Sequence, residues 1–162
     1  GVPSSSRTRG ANRPPEDQPW VWFTREMLEA PAWRALSDNG RRLIDRVMLE
    51  HMAHGGTENG NLPVTYVDLV AAGIRRNSIA PAIAEVEALG WILIERGRAA
   101  HIAGSGHAHR YGLTWLPTAD GEPAGNGWRK LKTAEEARLA AQAARLQGTD
   151  GRYRSKRSHP RL

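Results

Sequence analysis

The chain has 162 residues, a formal net charge of +6 and no cysteine. That length suits one domain with tails. The absence of thiols excludes disulfides, thiolate nucleophiles and cysteine-held zinc, and it fits a reducing cytoplasm; no apolar run approaches a membrane span.

Charge is unevenly placed. Residues 1–15 carry Arg7, Arg9 and Arg13, and residues 152–162 carry Arg152, Arg154, Lys156, Arg157 and Arg161, with no acid in either end. All 17 acids lie between them, so the middle is slightly acidic. Basic ends favour a polyanion through counterion release; the plainer alternative is solubility.

Residues 1–19 are rich in Ser, Arg and Pro and read as a disordered basic tail. Order begins at "PWVWFTREML", where Thr24 is an N-cap for a short helix to about Glu29, and Trp20, Trp22 and Phe23 are apolar anchors. Pro31 ends that element and "AWRAL" adds a turn. Ser37 caps a longer helix, "DNGRRLIDRVMLEHMAH", with Leu43, Ile44, Val47, Met48 and Met52 as its apolar stripe. "GGTENGN" is a loop, and "LPVT" an edge strand at most, because of Pro63. Thr65 and Asp68 have capping-box spacing before "YVDLVAAG", and Gly73 is its stop.

The segment "NSIAPAIAEVEALG" follows as an amphipathic helix. Ile79, Ile83 and Val86 share one face; Asn77, Pro81, Ala84, Glu85 and Ala88 share the other. With Asn77 or Ser78 as N-cap, Pro81 falls in the first turn, where its missing amide costs little. "WILIE" and "YGLTWL" are two strands of a hairpin around a long polar loop. Residues 117–132 read as a linker, residues 133–148 as a separate helix that Thr133 caps and Gly148 stops, and residues 149–162 as a second disordered basic tail. The fold class expected is mainly α with a small β-hairpin (α+β), over residues 20–116 with a core at 37–116.

Over residues 37–116 the order is helix, short strand, helix, turn, helix, strand, loop, strand. This order, with "LSDNGRRLIDRVMLE", "NGNLPVT", "YVDLVAAGI" and "NSIAPAIAEVEALGWILIE" in sequence, resembles the winged helix-turn-helix DNA-binding domains of bacterial regulators and of phage and plasmid replication proteins. The resemblance implies a recognition helix at 77–89 in the major groove of double-stranded DNA and a wing at 96–110 on the backbone. Arg75, Arg76, Asn77 and Ser78 are then the contacts at the helix front, and Arg96, Arg98 and Arg110 those of the wing. A second copy of the chain is a further partner to consider. The alternative is a winged-helix module that docks a protein on the sparse Ala-Pro-Ala-Glu surface and touches nucleic acid only through its tails.

No enzyme chemistry stands out. His51 with His54, and His107 with His109, lie in separate elements without a completing carboxylate, so no metal or other cofactor is expected. "GSGHAH" lacks the lysine and helix of a phosphate loop, and Ser105 beside His107 lacks an orienting acid. Glu135 and Glu136 suit a helix dipole, and Trp20, Trp22 and Trp33 read as core before a base-stacking platform.

Overall fold

The computed structural model describes residues 12–97 and 108–157, with 150–157 described as helix backbone alone. The chain is mainly α with one small antiparallel sheet. Helix α1 (Arg25–Glu29) starts where Thr24 accepts the amide of Met27, and α2 (Pro31–Arg34) carries its proline at the first helical position. Helix α3 (Asp38–Ala53) is capped by Ser37, whose hydroxyl accepts the amide of Gly40. Leu43, Ile44 and Val47 are its buried stripe. Strand β1 (Leu62–Val64) precedes α4 (Tyr66–Ala71), and the Thr65–Asp68 capping box is closed in both directions, at 2.8 and 3.1 Å.

Helix α5 (Arg76–Ala88) leads into β2 (Ile92–Glu95), which pairs antiparallel with β3 (His109–Leu113). Ile92 faces Leu113 and Glu95 faces Arg110 across the hairpin. Strand β1 adds to the far side of β3, Leu62 against Tyr111, so the sheet order is β1-β3-β2 and Pro63 stands on an edge. Residues 12–19 form turns. Residues 1–11, 98–107 and 158–162, with the expectations placed on them, lie outside the described residues.

Three expectations need correction. First, the aromatic core is elsewhere. Trp20 and Trp22 are 54% and 41% exposed, while Trp91, Trp115 and Trp128 are buried. Val21 and Phe23, alternating with the exposed tryptophans, are the residues that turn inward. Trp33 sits at the margin, edge-on to Trp91 with centroids 5.1 Å apart.

Second, residues 117–132 are not a free linker. Ala119 donates its amide to the carbonyl of Asn59 (2.8 Å), and a 3₁₀ turn (Gly127–Lys130) stacks Trp128 on Trp91 at 5.3 Å and 2°. Gly90 makes room for this: its φ is +81°, and a Cβ there would stand 2.3 Å from the backbone of Gly127. The buried Asn59 locks the same region, accepting the amide of Leu113 (2.7 Å) and donating to the carbonyls of Leu113, Leu116 and Pro117.

Third, the C-terminal helix is neither separate nor stopped at Gly148. Helix α6 (Ala134–Arg157) runs through Gly148 and Gly151. Its cap at Thr133 holds, with the amide of Glu136 donating to the hydroxyl at 3.1 Å. Ala137 and Ala141 belong to the main core, and Ala144 is buried with them. A helix propagates beyond a glycine when packing outweighs the roughly 1 kcal/mol intrinsic penalty.

Candidate nucleic-acid interface

Helix α5 was expected to carry the site, and its two ends are built differently. The chain leaves α4 through Gly73, at φ +97°, and buries Ile74. Arg75 then takes the N-cap position in extended geometry (φ −60°, ψ 139°), with no side-chain cap. The N-cap expected at Asn77 or Ser78 therefore stands two or three residues earlier, at Arg75: the buried Ile74 and the left-handed Gly73 fix the start, and a capping side chain does not. Pro81 is consequently the sixth helical residue and not the third or fourth. It lies inside the helix and withholds the amide that the carbonyl of Asn77 would otherwise receive.

The front of α5 is open. Arg75, Arg76 and Asn77 are exposed and Ser78 is half-buried. Ser78 donates its amide to the carbonyl of Arg75 at 2.7 Å, while the amides of Arg76 and Asn77 precede the first intrahelical bond. Arg42, from α3, adds a third guanidinium at this end, donating to the carbonyl of Gly73 at 2.9 Å. Arg42 is itself exposed, and its 31-residue separation from Gly73 leaves no local sequence signal for this neighbourhood.

The body of α5 is partly covered: α6 packs on its small outer face, while Ala88 stays exposed. A Cβ on Gly148 would fall 2.8 Å from Cα of Pro81 and 2.9 Å from the carbonyl oxygen of Ala80, so the two backbones touch through a glycine. Glu85, placed on the outward face by helical periodicity, is fully buried. It accepts the amide of Ser37 at 3.1 Å, the hydroxyl of Ser37 at 2.6 Å and the guanidinium of Arg145 on α6. A buried carboxylate needs such partners. Gly40 is bound to this arrangement, since a Cβ there would stand 2.5 Å from a Glu85 carboxylate oxygen. The 77–89 reading thus narrows: the front of the helix is accessible, α6 covers the middle around Ala80, Pro81 and Glu85, and Ala88 near its end is exposed.

The root of the wing is partly engaged. Arg96 forms a two-point ion pair with Glu87 of α5, at 3.1 and 3.0 Å, and this raises the Arg96 pKa above its ordinary value. Arg110 is exposed and donates to the carbonyl of Asn61 at 3.1 Å, which leaves its charge unneutralised. Arg98, His101 and His107 lie outside the described residues. His109 accepts the amide of Gly97 at Nδ1 (2.9 Å), which fixes its other nitrogen as the protonated one in the neutral ring. Burial, then the charge of Arg96, lowers its pKa.

His51 and His54 part company. His51 is buried, with its pKa lowered by burial, and His54 lies at the surface, 3.1 Å from Glu50. Among the described residues no group of three or more His, Asp or Glu side chains could hold a metal ion, and no helix is long and apolar enough to cross a membrane. No protein-family model, curated protein or solved structure matches the chain.

Proposed function

We propose that the chain is a non-enzymatic, cytoplasmic double-stranded DNA-binding protein of winged-helix type. It would serve a bacterium or mobile element as a transcription regulator or replication accessory factor. The order α3–β1–α4–α5–β2–β3 supports the reading, being the order on which the resemblance rests. The observation that carries it is the open front of α5, where Arg75, Arg76 and Asn77 are exposed beside two unbonded amides and Arg42. Arginine and asparagine are the residue types suited to guanine and adenine edges, and backbone amides at a helix start suit phosphate. Arg110 supplies a backbone contact at the wing root.

The protein-docking alternative depended on the small face of α5, and the chain's own α6 takes up the part of that face around Ala80, Pro81 and Glu85. The test is binding of labelled duplex by the full chain at about 0.15 M salt. DNA from beside its own gene should bind more tightly than random duplex. An Arg75→Ala/Arg76→Ala double change should weaken binding about 30-fold, the share of two phosphate contacts. Unchanged affinity in the double variant sinks the assigned face.

A further inference from the structure

The sheet order β1-β3-β2 leaves one open edge on β1 and one on β2. Antiparallel partners alternate between pairs that exchange backbone hydrogen bonds and pairs that do not. The amide of Thr114 donates to the carbonyl of Trp91 at 3.2 Å, so the bonded pairs that follow are Leu93 with Gly112 and Glu95 with Arg110. The N–H and C=O groups of Ile92 and Ile94 therefore point away from β3, and among the described residues none of the four meets a hydrogen-bond partner. The opposite edge differs. There the same alternation, carried through Leu62 and Tyr111, turns Pro63 outward, and a proline has no amide to offer a further strand.

The open edge of β2 lines a cavity of about 740 Å³, a volume in the range of ligand pockets. Its other wall is the segment from Thr118 to Gly127, and Leu93, 50% exposed, stands between them. The carboxylates of Glu95, Asp120 and Glu122 are exposed on its rim, against the single cation Lys130. Glu87, also on the rim, is already paired with Arg96.

We infer that the outer edge of β2 and this cavity receive an extended, basic peptide segment of a partner protein, which joins the sheet as a fourth strand. The free groups of Ile92 and Ile94 supply the main-chain bonds, Leu93 an apolar contact, and the acidic rim selects lysine or arginine side chains. Nucleic acid is disfavoured, because the same rim repels phosphate. A second copy is disfavoured too, since pairing β2 with β2 brings two acidic rims together. The inference stands apart from the DNA-binding reading and uses none of the residues assigned to duplex.

Amide hydrogen exchange on the full chain tests it, with acetyl-Lys-Val-Lys-Val-Lys-Val-amide as probe and acetyl-Glu-Val-Glu-Val-Glu-Val-amide as its acidic counterpart. The basic peptide should bind with a dissociation constant of about 0.1 mM. At about 1 mM it should slow exchange at Ile92 and Ile94 about tenfold, with little change at Leu93 and Glu95, which already bond to β3. The acidic peptide should not bind. Glu95→Lys/Glu122→Lys alters two exposed side chains that make no hydrogen bond among the described residues. That variant should melt at the wild-type temperature and bind the basic peptide about tenfold more weakly or worse.

Failure of the basic peptide to bind, equal binding of both peptides, or wild-type affinity in the double variant overturns the basic partner. Binding that leaves exchange at Ile92 and Ile94 unchanged overturns the edge as the site. Protection of those two amides without peptide overturns the partner as well. If that protection grows with protein concentration the occupant is a second copy, and if it does not the occupant is a segment of the same chain. Loss of duplex binding alone removes the DNA-binding reading and leaves this one standing.

Discussion

The front and the body of α5 are adjacent stretches of one helix with opposite composition and opposite surroundings. The front has two arginines and an asparagine, all exposed, and no side-chain cap. The body has Ala80, Pro81, Ala84 and a buried Glu85, and it receives another helix at backbone distance. Small residues on an outward helix face can admit DNA or a neighbouring helix, and sequence alone does not separate the two. What separates them here is Gly148, a residue 67 positions beyond Pro81 in the chain.

Substitutions that attack the body should disturb folding. The largest effect is expected from Glu85→Ala, which removes a buried carboxylate, leaves the Ser37 amide without its acceptor and strips Arg145 of its partner. Urea denaturation should show a loss of about 3 kcal/mol. A loss under 1 kcal/mol would mean that α6 is held without this carboxylate. Next comes Gly148→Val, whose side chain has no room beside Pro81. It should cost about 2 kcal/mol as the helices separate, read by the same denaturation. The double arginine change at the front sharpens the contrast, because its urea midpoint should not move.

The smallest effect concerns acid. His51 is buried with a depressed pKa. The unfolded chain therefore binds a proton at that position more readily than the folded chain. Stability is complete above the unfolded value of about 6.5 and falls as pH drops from there toward the lower folded value. His109 adds a loss of the same sign. Melting temperature should decline modestly from pH 7.5 to pH 5, and less so in His51→Gln; an equal decline in that variant would clear His51 of the role.

Where the sequence was legible, the signal was local. Thr24, Ser37, Thr65 with Asp68, and Thr133 each cap within three residues, and each cap is present. The hairpin and the edge position of Pro63 follow from equally local rules. The start of α5 was misplaced because burial of Ile74 sets it, which no capping pattern reveals. Gly148 carried two meanings, helix stop and close contact, and only the presence of Pro81 opposite selects the second. Asn59 lies in a loop of turn-forming residues, and nothing marks it as the side chain that braces β3 and the segment after it. Arg75 and Arg76 are exposed at the front of α5, while the cover that α6 gives the middle of that helix depends on contacts about 60 residues apart.

That separation also has a meaning in time. Ser37 precedes Glu85 by 48 residues and Arg145 follows it by 60. As the chain is synthesised, the carboxylate therefore finds its hydroxyl and amide partners already made, but waits for its cation. At 5–20 residues per second the delay is about 3 to 12 s. For those seconds a growing chain lacks the helix that packs against the small-residue face of α5 in the finished protein.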